Sequence, residues 1–395
     1  MKITLLGDAL LCQDQLIAYT GNNGYDFNMA FEKLKPITES SDFVVVNLET
    51  PIAGKDMEFT NEKYCFNSPI EFAEALRQVG VDMVTTANNH CLDRGVIGLK
   101  KTIDNLDRCG LLHIGTHSKE EESFVIKEID GIKVGFLAFT YGTNAFSNNN
   151  YLEKNQYYMV DLLQEQELSN VFIRKMYTSA NIFFRAFRKV ARLMGKGQFS
   201  IPVYERREKS TRTLKHYMNT IEKCKKAGAE YIISCLHIGG QYNSEPLEYT
   251  KEICELSLKL GVNAVIANHE HVIHGISKNC NPNQFCIYSL GNLLASNGVT
   301  ISPFDKNAEY SVGVCIDLQR NKENARAIEA KYSFCLFHSF LNKDNKVVCG
   351  SLFDTIQECS KENDRMRLLD INNELVNIVM GTKNLKYSLK SEYTL

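Results

Sequence analysis

Five times along this chain a short, almost unbroken apolar run stops at a polar or ionisable residue. KITLLGD stops at Asp8, DFVVVNLE at Asn47 and Glu49, VDMVTTANNH at Asn89 and His90, AEYIISCLH at His237, and VNAVIANHEH at His269 and His271. Such runs predict strands buried on both faces. Helical periodicity follows several of them, in SPIEFAEALRQVG, GVIGLKKTIDNL, TLKHYMNTIEKCKKAG and EYTKEICELSLKLG, so the chain reads as α/β. In α/β sheets the carboxyl ends of strands open into the crevice where ligands bind, and polar residues there are placed for chemistry.

The central instance is TTANNHCLDRG, from Thr85 to Gly95, where a strand ends and a helix begins at Asn88-Asn89-His90. Asn89 offers an amide oxygen, His90 an imidazole, and Asp93 a carboxylate able to orient that imidazole. An Asn before a helix also serves as a cap, and a histidine also serves as a hydrogen-bonding residue; the recurrence of the pattern favours chemistry. Asp8, Glu49, Asn89, His237, His269 and His271 together supply oxygen and imidazole donors for one or two divalent ions of the zinc, manganese or iron type. A bridging carboxylate holds two such ions ~3.5–4 Å apart. Alternate residues on extended backbone point the same way, which suits His269 and His271. His90 is the expected general acid, oriented by Asp93. Asn47, Asn88 and Asn292, the last at the end of IYSLGN, are candidate substrate-binding residues.

A net charge of −2 gives no overall reason to expect nucleic acid or an anionic membrane. The mean hides a basic stretch: from Val171 to Lys215 there are 12 Lys or Arg against Glu205 and Glu208, with Phe172, Phe183, Phe184 and Phe187 among them. It reads as a helical insertion, about 145–215, either a solvated basic face or a contact for an anionic polymer or a membrane surface (171–215). The 13 cysteines are odd in number and never spaced CxxC, which predicts reduced thiols rather than a disulfide framework. Lys2-Ile3-Thr4-Leu5-Leu6 reads directly as a strand and no apolar run reaches the ~18 residues of a membrane span. The expectation is a cytoplasmic protein, at most peripheral to the membrane.

From Ile3 to about Ala295 the chain resembles the CapA (PgsA) family of bacterial poly-gamma-glutamate capsule biosynthesis proteins. The motifs that carry the resemblance are LLGDALL, NLETPI, the run from VDMVTTANNHCLDRGVIGLKKTIDNL to GLLHIGT, GIKVGFLAFTYGTN, CLHIGGQY, ANHEHVIHG and IYSLGN, in that order. The resemblance implies an α/β/β/α four-layer, metallophosphatase-like sandwich over residues 1–340, with 341–395 as a C-terminal strand and helix extension packed on the same domain. It equates Asn89-His90 with the Asn-His pair of metallophosphatases and His269-x-His271 with their Gly-His-x-His motif. It also implies a metal-dependent hydrolase acting through a metal-activated water on a phosphoester or a gamma-glutamyl amide, or else a non-catalytic capsule-assembly component that binds an anionic polymer. Capsule-synthesis proteins are the implied partners, and nucleic acid is not expected. Five positions depart from the pattern. Leu10 stands where ordinary metallophosphatases carry a second histidine ligand, Gln13 and Gln241 replace an expected Arg and Glu, and Asn268 and Glu270 flank the histidines in place of Gly and Pro. Glu49 takes the place of a bridging Asp, as it does across the family.

Overall fold

The computed structural model describes residues 1–21, 24–61, 65–166, 190, 211–277, 280–281, 283–295, 307–324 and 327–395. The chain begins with β1 (Lys2–Ala9), then steps outward through β2 (Phe43–Leu48), helix α1 (Ile70–Gln78), β3 (Met83–Thr85), α2 (Gly95–Arg108) and β4 (Leu112–Ile114). These four strands are mutually parallel neighbours. The chain next crosses to a second sheet as β5 (Val125–Ile129) and β6 (Ile132–Thr140), a hairpin whose two-residue turn, Asp130-Gly131, has φ of 47° and 74°. Two positive φ values are what a tight hairpin turn requires, and Asp-Gly supplies them cheaply.

Helix α3 (Thr211–Lys226) leads to β7 (Tyr231–His237), and α4 (Glu248–Lys259) to β8 (Ala264–Asn268). The strands β9 (His274–Ile276) and β10 (Phe285–Ser289) complete the second sheet, in the order β9-β10-β8-β7-β6-β5. The chain then returns to the first sheet as β11 (Asn292–Leu294), β12 (Tyr310–Arg320), β13 (Ile328–Leu341) and β14 (Val347–Ser351). Its order is β14-β13-β12-β1-β2-β3-β4, with β11 also against β1. Helices α5 (Leu352–Glu358) and α6 (Glu362–Met380) follow, and a last strand, β15 (Tyr393–Thr394), pairs with β13.

Period-two alternation sorts the side chains into layers. Ile3, Leu5, Phe43 and Val45 of the first sheet meet Val134, Phe136, Ile233 and Ile266 of the second in a shared core. The alternate residues Leu6, Val44 and Val46 pack outward against Phe72, Ala73 and Leu76 of α1. On the far side Leu137, Phe139, Ile232, Leu236 and Val265 pack against Tyr217 and Ile221 of α3 and Ile253 and Leu258 of α4. The result is a four-layer α/β/β/α sandwich. Each fully buried Leu, Ile, Val or Phe contributes ~1.5–3 kcal/mol, so the layers fix the two sheets face to face and bring their carboxyl edges together.

Residues 167–189 and 191–210, which hold most of the basic stretch, lie outside the described residues. Leu152, Met159, Val160 and Leu162 form a buried cluster with Leu92, Leu99 and Ile103, because YLEKNQYYMVDLL carries enough apolar residues to pack. The C-terminal segment joins the core between the sheets through Leu352, Ile356, Leu375, Val376, Val379 and Tyr393. None of the 13 cysteines is in a disulfide, and among the described residues no helix is long and apolar enough to cross a membrane.

Candidate functional site

Asp8 is the second-to-last residue of β1, where its neighbours in register are Asn47 on β2 and Asn292 on β11. Gly7 makes this junction possible: a Cβ there would stand 2.1 Å from the carbonyl oxygen of Gly291, and the same carbonyl accepts the Asp8 amide at 3.0 Å. Glu49 follows the end of β2, and Asn88 to Arg94 form a turn between β3 and α2, so α2 starts at Gly95 and not at Asn89. His237 closes β7. His269 and His271 follow β8.

The structure gathers Asp8, Glu49, Asn89, His90, His237, His269 and His271 at one edge of the sandwich, all buried to 3% exposure or less. The Nε2 atom of His237 is the hub: it lies 2.7 Å from Asn89 Oδ1, 3.1 Å from His269 Nδ1 and 3.3 Å from Glu49 Oε1. His271 Nε2 is 3.8 Å from the same Glu49 oxygen, and its Nδ1 is 3.5 Å from Asp8 Oδ2. Two triads have ligand atoms within 4.8 Å of one another, Asp8–Glu49–His237 and Glu49–His269–His271. Glu49 belongs to both.

His269 and His271 do not converge by extended alternation. Their φ values are 102° and 59°, so the backbone bends through two left-handed residues around Glu270. Non-glycine residues in that region are strained, and such strain persists where surrounding structure imposes it, commonly at functional sites.

The electrostatics describe a cage short of positive charge. Neither Glu49 oxygen meets a hydrogen-bond donor, and His269 Nε2 is likewise without a partner. Burial, and for Asp8 also the Glu49 charge, pushes both carboxyls above their ordinary range. Burial, and then the neighbouring imidazoles, drives His237 and His269 well below theirs, so both are neutral and present lone pairs. Neutral imidazoles around an unsatisfied buried carboxylate are the donor set of a borderline transition-metal ion, whose charge would offset the cost of burying Asp8 and Glu49. The residues fit a divalent cation.

His90 stands at the rim of the cage, with Nε2 4.0 Å from Glu49 Oε1 and Nδ1 2.7 Å from Asp93 Oδ2. Its ring packs on Phe66, with centroids 4.4 Å apart. The three asparagines expected to bind substrate are committed to protein partners. Asn47 donates to Asp8 Oδ1 at 2.6 Å and accepts from Thr85 Oγ1 at 2.9 Å. Asn88 donates to the Leu48 carbonyl at 2.7 Å and accepts the His90 amide at 3.1 Å. Asn292 lies 2.9 Å from His271 Nδ1 and donates to the carbonyls of His271 and Ala308. Asn47 and Asn292 each meet a side chain of the cage, Asp8 and His271. Leu10, in place of a histidine, packs with Phe66 and Ala295.

Sequence reasoning missed Thr85, which holds Asn47, and also Phe66 and Asn148, which donate to Asp93 at 2.7 Å and 3.1 Å. The Asn-rich FSNNN loop was a signal for Asn148; Phe66 acts through its backbone amide and had none.

A capsule biosynthesis protein CapA of Bacillus anthracis is 21% identical over 307 residues, covering 76% of this chain and 61% of the relative. A PGA biosynthesis protein CapA of Bacillus subtilis (strain 168) is 28% identical over 116 residues, covering 28% of this chain and 30% of the relative. The chain thus spans less than two thirds of either relative's length. A phosphatase structure from Mycoplasma pneumoniae covers 89% of this chain and 92% of its own at 13% identity, with a TM-score of 0.37; the layer assignment above rests on this chain's own topology. Residues 2–297 match the family described as bacterial capsule synthesis protein PGA_cap, and the chain belongs to that family.

Proposed function

We propose that the protein is a metal-dependent hydrolase of capsule biosynthesis, acting on a phosphoester or a gamma-glutamyl amide. One observation carries the reading: a fully buried Glu49 without a hydrogen-bond donor, shared by two triads of ligand atoms. Asp8, Glu49, Asn89, His237, His269 and His271 are the proposed metal ligands. Bound among them, one or two divalent ions would polarise a water and stabilise the oxygens of a tetrahedral transition state. The chain's own residues supply the rest. Asn47 and Asn292 hold Asp8 and His271 in place, and the Asp93 carboxylate fixes the Nδ1 proton of His90. That leaves the Nε2 proton facing the cage, placed to protonate a leaving group.

The apolar cluster of Leu10, Phe66 and Ala295 favours a second reading, a non-catalytic component that uses the cage to bind an anionic polymer. In either case the proposed partners are other capsule-synthesis proteins, and the basic stretch is the proposed contact with polymer or membrane. The test measures zinc, manganese and iron in the purified protein, then the hydrolysis of an aryl phosphodiester and of gamma-linked oligoglutamate. Stoichiometric metal with turnover of either substrate is expected. Protein free of metal that takes up none on dialysis would overturn both readings, and metal without turnover would leave the binding component.

A further inference from the structure

A second group of metal-ligating side chains lies away from the cage. The hairpin of β12 and β13 pairs Cys315 with Ser333 and Gly313 with Cys335, so the two cysteines sit diagonally on one face, and both belong to the buried layer outside the first sheet. The last strand pairs Thr394 and Tyr393 with Ser333 and Phe334, which delivers Glu392 beside them. The two thiol sulfurs and a Glu392 oxygen all lie within 4.8 Å of one another.

That spacing suits one small ion. With metal–sulfur bonds of about 2.3 Å and metal–oxygen bonds of about 2.0–2.2 Å, tetrahedral donors stand roughly 3.5–3.8 Å apart, within reach of small side-chain shifts. The surroundings orient the donors in the way that supporting residues orient metal ligands. Lys2 Nζ donates to Glu392 Oε2 at 2.8 Å, Ser333 Oγ donates to Glu392 Oε1, and Thr4 Oγ1 stands 3.5 Å from Cys315 Sγ. Two thiolates and a carboxylate against a divalent ion and Lys2 sum to zero charge. A cavity of about 270 Å³, lined by Cys335, Ser391 and Glu392 together with Lys33 and Asp354, opens onto the group and has room for a water as fourth ligand.

We propose that Cys315, Cys335 and Glu392 bind a divalent ion of the zinc class, which ties the C-terminal strand to the hairpin beside β1. Binding releases the two thiol protons to solvent; no electron is transferred. The test uses the full chain, kept reduced and loaded with cobalt(II). Thiolate ligands give cobalt a charge-transfer absorption in the near ultraviolet, which the six oxygen and nitrogen donors of the cage do not. The expected result is that band at one cobalt per chain, lost in Cys315→Ser and in Cys335→Ser, and kept in the His237→Ala/His269→Ala double variant. Glu392→Gln, a change at a partly exposed residue just before β15, should weaken cobalt binding roughly 10-fold or more while keeping the band at saturation. A reduced wild type without the band, or a band unchanged in both cysteine variants, overturns the site. So does a Cys315–Cys335 disulfide in the protein as purified from cells, which would make the pair a cross-link.

Discussion

Asp93 Oδ2 stands 2.7 Å from His90 Nδ1, and the same carboxylate takes hydrogen bonds from the Phe66 amide and from Asn148 Nδ2. Three elements therefore fix one imidazole. Burial alone would push the His90 pKa down, but Asp93, then Glu49 and Asp8, outweigh it and hold the pKa above its ordinary value. His90→Asn should keep its bound metal and lose about 10²–10⁴-fold in turnover, the range for general acid–base catalysis. Metal analysis and kinetics on the same preparation decide it. Loss of metal would make His90 a ligand, and full activity would remove it from the mechanism.

His237 is the meeting point of Asn89, His269 and Glu49. Removing His237 and His269 together takes one imidazole from each of the two triads. After dialysis against buffered zinc, the double variant to Ala should hold at least one zinc fewer per chain than wild type, the difference being the metal of the cage. Equal metal in both proteins would return these histidines to a structural role.

Asn47 bonds Asp8 and Thr85 in a buried site, so it is expected to act through the cage and not on substrate. Asn47→Ala leaves buried polar partners unmet, which costs about 1–3 kcal/mol, and should lower metal affinity roughly 10–100-fold. Chemical denaturation and metal titration measure the two effects. A variant with unchanged stability and metal affinity but a raised KM would make Asn47 a substrate residue.

The apolar strand cores and their polar ends were legible in the sequence because each is local: Phe43 to Leu48 carries its own burial on both faces. What was not legible depends on three-dimensional context. Extended alternation looked sufficient to aim His269 and His271, yet the chain reaches the cage through two left-handed residues, a geometry that neither histidine advertises. The roles of Asn47, Asn88 and Asn292 depend on which carbonyls and carboxylates the neighbouring strands present, and that is set by register. YLEKNQYYMVDLL falls within the expected insertion, and its Leu152, Val160 and Leu162 find apolar partners on α2 and the turn before it, contacts that only the fold sets.

The last prediction concerns a buried pair outside the cage. His117 Nε2 stands 2.8 Å from Asp161 Oδ2, while Ser123 donates to Asp161 Oδ1 at 2.5 Å and His216 approaches the same oxygen at 3.3 Å. Burial pushes His117 down, but its bonds and charge contacts with Asp161 and Glu121 prevail and raise it. Burial likewise pushes Asp161 up, and His117, His216 and Ser123 prevail and lower it. The signs follow from linkage. A raised histidine stabilises fully below its unfolded value of about 6.5 and loses that contribution as pH climbs through its folded value; a lowered aspartate stabilises above about 3.9 and loses it as pH falls through its folded value. The pair therefore contributes most between about pH 4 and 6.5. His117→Gln should remove a stabilisation that is largest in that window and shrinks above neutral pH, so urea midpoints of wild type and variant should approach each other as pH rises from 6 to 9. A gap that stays constant over that range would mean that the imidazole is neutral throughout and serves only as a hydrogen-bond partner.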